Sequence, residues 1–167
     1  MCETWLHPNV LDDMVNLPGF NLYRHDRIGK KGGGVGIFVR SNLSVTRLAT
    51  SPPAYCSRPE YLIVSVSDGN SAKLLLCVVY RPPKIGFISD LENDLIRFLP
   101  SFKNVVIMGD FNSDMCIDSY DSRNFKKLAY RNNLYTVPFD PTHHKANSHT
   151  QLDLCFVDNS NKVFFSS

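Results

Sequence analysis

The 167-residue sequence lacks the features that would place it in a membrane or in a disulfide-stapled class. Its longest apolar run, Leu74 to Tyr80, falls far short of the ~20 residues that cross a bilayer as a helix. A secretory leader is not expected, since Glu3 stands where a basic segment belongs and no apolar stretch follows. Cysteine is sparse and odd in number (Cys2, Cys56, Cys77, Cys116 and Cys155), with no Cys-x-x-Cys pair. That argues against a disulfide framework and a zinc knuckle, and for a reducing compartment. There is no internal repeat, and the Pro/Ser stretch from Ser51 to Pro59 is too short for a domain linker. The length suits one domain able to bury about 70% of its extended surface. These absences leave an intracellular globular domain with no membrane partner as the expectation.

A large charge excess is also missing, with a net charge of +2, but the charges are unevenly placed. Between Tyr23 and Arg47 stand Arg24, Arg27, Lys30, Lys31, Arg40 and Arg47 against a single acid, Asp26. Between Met108 and Ser122 stand Asp110, Asp114, Asp118 and Asp121 with no base. Such a pairing suits a polyanionic substrate and a bound cation, although two solvated loops would read the same way.

Strands are predicted at Val35–Val39, after a Gly32-Gly33-Gly34 turn, and at Tyr61–Val66, with Leu62, Val64 and Val66 on one face. Further strands are predicted at Leu74–Tyr80, Val105–Met108 and Leu152–Val157. The continuous apolar run of Leu74–Tyr80 fits a strand covered on both faces. A helix is predicted over Ser89–Leu99, with a Ser89/Glu92 capping box and with Leu91, Leu95, Phe98 and Leu99 on one face. A second runs from about Ser122 to Asn132, and a short turn is possible near Asn9–Val15. This is an α/β pattern, in which chemistry gathers at the carboxyl ends of strands.

Those ends carry Tyr80-Arg81-Pro82-Pro83, Gly109-Asp110-Phe111-Asn112, and Thr150 with Asp153 around the last strand; Glu3-Thr4-Trp5-Leu6 stands at the front. An aspartate and an asparagine two apart can orient a water and hold a phosphoryl oxygen, although Gly-Asp and Asp-x-Asn are also ordinary turn residues.

Taken in order, these segments, with Gly32 to Val39 and Gln151 to Val157, resemble the endonuclease/exonuclease/phosphatase superfamily. They look most like the apurinic-type endonuclease domain of LINE-like (non-LTR, jockey-like) retrotransposons. The resemblance implies a four-layer α/β sandwich, two mixed β-sheets face to face with helices outside, and Mg²⁺-dependent (or Mn²⁺-dependent) phosphodiester or phosphomonoester hydrolysis. It implies Glu3 as metal ligand, Tyr80 as donor to the scissile phosphate and Asp110 with Asn112 as the catalytic pair. Asp153 matches the acid that orients a histidine, and Thr150 supplies a hydroxyl on the phosphate side. Arg24, Arg27, Lys30 and Lys31 are candidate contacts to DNA phosphate. A reverse transcriptase in the same polyprotein and a nuclear location are implied for the parent element.

Two family elements have no counterpart here: an asparagine-bearing first strand before Glu3, and a Ser-Asp-His motif after Asp153. The expectation is therefore a partial domain over residues 1–167, without its first and C-terminal strands and weak or inactive by itself. A catalytically dead remnant that binds nucleic acid and a phosphatase of the same superfamily are the rival readings. His143, His144 and His149 fit a solvated loop better than a metal site, because Mg²⁺ disfavours imidazole.

Overall fold

The computed structural model describes residues 1–69, 72–85, 88–145 and 148–163. After a 3₁₀ turn at Asp12–Val15, β1 (Phe20–His25) and β2 (Val35–Arg40) form an antiparallel pair. There follow β3 (Ser44–Thr50), β4 (Glu60–Ser67), β5 (Lys73–Tyr80), α1 (Ser89–Phe98), β6 (Asn104–Asp110) and α2 (Tyr120–Arg131). The chain continues through β7 (Tyr135–Thr136), β8 (His143–Lys145), β9 (Ser148–Thr150) and β10 (Asp153–Val157). Six of these strands make one mixed sheet in the order β3-β4-β5-β6-β10-β7, and β8 and β9 form a small hairpin.

Within the large sheet β5 and β6 run parallel, while β3, β4, β10 and β7 join antiparallel to their neighbours. A parallel pair needs a crossover, and α1 supplies it. Both helices cover one face of the sheet. Leu91 and Leu95 of α1 and Phe125, Leu128 and Ala129 of α2 pack with Ile63, Leu75, Cys77, Val79, Ile107 and Phe156. On the other face Leu62, Val64, Val66, Val78 and Tyr80 pack against Val35, Ile37 and Val39 of β2. The arrangement is thus a mixed α/β sandwich. Where the resemblance implies two mixed sheets, the described residues give one mixed six-stranded sheet and a two-stranded antiparallel partner.

The strands β1 and β3 were not legible, because polar residues such as Asn21, Arg24, Thr46 and Arg47 interrupt them. The alternation in β4 was legible, but Tyr61 and Ile63, on the face opposite Leu62 and Val64, are buried too. The helix caps also differ from expectation. Ser89 is the first residue of α1 rather than its cap, and its N-cap, Ile88, makes no side-chain cap. The capping box belongs to α2, where the Ser119 and Ser122 hydroxyls each accept a hydrogen bond from the other's backbone N–H.

Gly109 is not in the turn that a Gly-Asp pair can mark. It lies inside β6, paired with Val79 of β5 and Leu154 of β10. A Cβ there would stand 1.8 Å from the Val79 carbonyl oxygen, closer than any non-bonded contact allows. Gly109→Ala is therefore expected to destabilise the fold by at least the ~1–3 kcal/mol typical of overpacking. Urea unfolding checks this, with a lowered midpoint or no cooperative transition as the expected result.

Candidate active site

The segment carrying Glu3 is seated by the glycines that follow β1. Met1 and Gly36 exchange two backbone hydrogen bonds (2.8 and 3.0 Å). The Thr4 N–H donates to Gly34 O (3.2 Å), and that of Trp5 to Gly33 O (3.0 Å). A Cβ on Gly34 would come within 2.7 Å of the Thr4 hydroxyl, so the glycine lets the two chains approach. The Cys2 thiol donates to the Val79 carbonyl at 3.1 Å, tying the segment to the end of β5. Glu3 itself adopts a φ of 49°, a left-handed conformation that non-glycine residues seldom take. The triple glycine is thus a docking strip for this segment, beyond its expected role as a turn.

Below the segment, strand register lines up four residues across four strands. Glu60 pairs with Tyr80, Tyr80 with Asp110, and Asp110 with Asp153. In-register neighbours share a face. The Tyr80 hydroxyl donates to Glu3 Oε1 at 2.6 Å. Burial, reinforced by the Glu3 carboxylate, raises the phenol pKa well above its ordinary value, so Tyr80 remains a neutral donor. Asp110 is half-buried. Burial chiefly, and the charges of Asp153 and Glu3, hold its carboxyl above the usual carboxylate range.

Asn112 fixes that carboxyl group. Its backbone N–H donates to Asp110 Oδ1 (2.9 Å), and its Nδ2 donates both to Asp110 Oδ2 (3.0 Å) and to the Arg81 carbonyl (2.9 Å). Asn112 has a φ of 46°, which asparagine tolerates better than most residues. With both amide hydrogens engaged, its free capacity toward a ligand is the acceptor Oδ1.

Two buried arginines organise the surroundings. Arg81, 1% exposed, donates to Phe111 O (3.0 Å) and pairs with Asp121 (2.6 Å), so it clamps the Phe111–Asn112 loop to α2. Arg27 is also buried, at 8% exposure, and pairs with Glu60 at 2.5 Å, while Glu60 Oε2 accepts from the Gly34 N–H at 2.7 Å. A Cβ on Gly33 would collide with the Arg27 guanidinium at 2.3 Å. Arg27 is therefore not the exposed phosphate contact expected from the basic stretch. Arg24 is engaged internally as well, by Asp12 (2.9 Å) and by the Val10 carbonyl. Of the four basic candidates only Lys30 and Lys31 stand exposed.

Asp153 is exposed at the start of β10, and its backbone N–H donates to the Thr142 hydroxyl at 3.3 Å. Thr150 sits in β9 opposite His143, with its hydroxyl buried and unpartnered among the described residues. His144 and His149 form a cross-strand pair, their Nδ1 atoms 2.6 Å apart. Arg81, Asp121 and Glu60 were missed as positioning residues. The first stood in plain view beside Tyr80, but nothing in a linear motif signals a buried ion pair with a residue forty positions away.

The chain matches the Endonuclease/Exonuclease/phosphatase family over residues 1–167 and belongs to that family. Among solved structures it resembles the endonuclease domain of TRAS1, a telomere-specific non-LTR retrotransposon. That match has a TM-score of 0.60 and 14% identity, covering 84% of this chain and 65% of that one. It also resembles the human Nocturnin catalytic domain with bound sulfate (TM-score 0.63, 10% identity, 94% of this chain and 67% of that one). A third likeness is to the Bacteroides thetaiotaomicron mannosyl-6-phosphatase Bt3783 (TM-score 0.54, 20% identity, 95% and 70%). At these identities the likeness is one of fold. The chain spans 65% of the length of the TRAS1 domain. No curated protein sequence matches it. Among the described residues no helix is long and apolar enough to cross a membrane.

The buried pair Arg27–Glu60 generates a stability prediction. Arg27→Met strands a buried carboxylate and is expected to cost about 3–5 kcal/mol. Adding Glu60→Gln should recover part of that loss, because the amide oxygen still accepts from Gly34 without a buried charge. Urea midpoints of the single and double variants check this; a double variant less stable than Arg27→Met would contradict it.

Proposed function

We propose that this chain is the phosphodiester-cleaving part of a DNA endonuclease of the non-LTR retrotransposon kind. The observation that carries the reading is the row Tyr80–Asp110–Asp153 facing Glu3, in a member of a nuclease and phosphatase family. The fold likeness to the TRAS1 endonuclease domain and the exposed Lys30 and Lys31 favour DNA as substrate. A reverse transcriptase in the same polyprotein and action in the nucleus accompany this reading.

The donor set fits Mg²⁺, or Mn²⁺ in its place. Among the described residues no three metal-ligating side chains converge as a ready-made cage. Mg²⁺ does not need one, since it keeps several waters and binds through one or two carboxylates and substrate phosphate. Glu3, with Asp110 nearby, would hold it; burial chiefly raises the Asp110 pKa, and the added push from the charges of Asp153 and Glu3 is what a cation would relieve. When bound, the ion would polarise the phosphoryl oxygen.

The chain's own residues supply the rest. Tyr80, kept neutral, would turn its single hydrogen from Glu3 to the phosphate as charge grows there. Asp110, held in one orientation by Asn112, would move a proton at its carboxyl oxygen, to or from the water or the leaving group. Thr150, whose hydroxyl is buried in β9, stands outside the row and is assigned to the phosphate side by the family resemblance alone. Asp153 adds negative charge next to Asp110. No imidazole is paired with these acids among the described residues, so slow turnover is expected from the isolated chain.

Incubation with supercoiled plasmid tests the reading. Slow conversion to nicked circles is expected with Mg²⁺ and none with EDTA. Asp110→Ala is expected to lower the rate by about 10²–10⁴-fold. Nicking that survives Asp110→Ala would contradict the assignment. DNA binding without any cleavage would identify a dead remnant. Hydrolysis of a phosphomonoester with no plasmid nicking would identify a phosphatase.

A further inference from the structure

Two residues beyond Glu3 stands Trp5, the only tryptophan of the chain, and it is 60% exposed. A tryptophan that serves packing is mostly covered; this one is held outward. Its φ is 56°, a left-handed conformation that persists in a non-glycine residue only where the surroundings enforce it. The surroundings here are the hydrogen bond from its N–H to Gly33 O and the close passage of Gly32, whose Cβ would sit 3.6 Å from the indole. Lys31 places its ammonium 5.7 Å from the indole centroid. Nearby in sequence, Lys30 lies 4.2 Å from the ring centroid of half-buried Tyr55. Exposed lysines interleaved with aromatic faces are the chemistry of single-stranded nucleic-acid binding, in which rings stack on bases and cations meet phosphates.

The location adds to the composition. Two residues reach at most about 7 Å along a chain, and successive phosphates of one DNA strand are about 3.4 Å apart along the helix axis. A base one or two nucleotides from a phosphate held at Glu3 and Tyr80 therefore comes within reach of the indole. Inside a closed duplex that base's face is covered by its neighbours, and stacking on Trp5 requires it to be unstacked.

We infer that Trp5 and Lys31, with the Lys30–Tyr55 pair adjoining Lys31 along the chain, form a stacking platform for an unpaired or unstacked base next to the cleaved phosphate, so that this site selects DNA with exposed bases over closed duplex. The inference rests on the phosphodiesterase reading and adds to it the form of the substrate.

The single tryptophan gives a direct readout. The 167-residue chain is titrated in EDTA, where no cleavage occurs, with a single-stranded oligodeoxynucleotide and with the same sequence as closed duplex. Saturable quenching of Trp5 fluorescence by the single strand, and much weaker quenching by the duplex, is expected. By anisotropy of a labelled single strand, Trp5→Ala should weaken binding by about 5- to 150-fold, the range for loss of one stacked base. Trp5→Phe should lose less, with the urea midpoints of both variants near that of the unmodified chain. Binding that leaves the fluorescence unchanged, equal quenching by duplex, unaltered affinity in Trp5→Ala, or no binding to either DNA would overturn the inference. Metal-dependent plasmid nicking without quenching defeats the stacking platform alone. Quenching in a chain that cleaves no DNA defeats the phosphodiesterase reading alone.

Discussion

Everything at this site depends on the parallel pairing of β5 with β6. Val79 and Gly109 face each other so closely that a single methyl group would meet the Val79 carbonyl. This contact fixes the register, and the register sets Tyr80 beside Asp110 and Asp110 beside Asp153. A one-residue slip would turn these side chains to the opposite face of the sheet. The helix crossover that a parallel pair demands also puts α1 on the covered face, which leaves the row of acids to face β2 and the Glu3 segment.

Charge is spent inward in this chain more than its composition suggests. Arg27 and Arg81 are both buried, and each links elements that a hydrophobic contact alone would not orient. Arg81 joins β5, the Phe111–Asn112 loop and α2. Arg27 joins the glycine strip to Glu60 at the head of β4. A buried ion pair is weak evidence for stability, since desolvation can exceed the attraction. Its contribution here is geometric: planar guanidinium groups fix the directions of their partners. Glu3, Asp110 and Asp153 are left without a basic partner in this row, and the charges of Glu3 and Asp153 both act to raise the Asp110 pKa; the proposed cation would offset that repulsion.

Much of this was legible in the sequence. The apolar strands β2, β4, β5, β6 and β10 could be read from apolar runs and alternation and both helices from apolar spacing, and the order of motifs led to the family. The order Glu3, Tyr80, Asp110, Asn112 and Asp153 could be read as well, but the roles of Asn112 and the glycines could not. Asn112 spends its donors on Asp110 and Arg81, and Gly34 accommodates Thr4 rather than only turning the chain. The basic stretch misled because a charge run states composition, not exposure. Arg27 sits among glycines that make room for it, a fact visible only in three dimensions. β1 and β3 were hidden because half of their residues are polar.

The central claim is that Tyr80 and Asp110 act as one unit on one phosphate. A double-mutant cycle on the rate of plasmid nicking, with Tyr80→Phe, Asp110→Asn and both together, tests it most directly. Residues of one catalytic unit give strongly non-additive losses. The account predicts that the double variant is about as slow as the slower single variant. Losses that multiply would show two independent sites of action and contradict it.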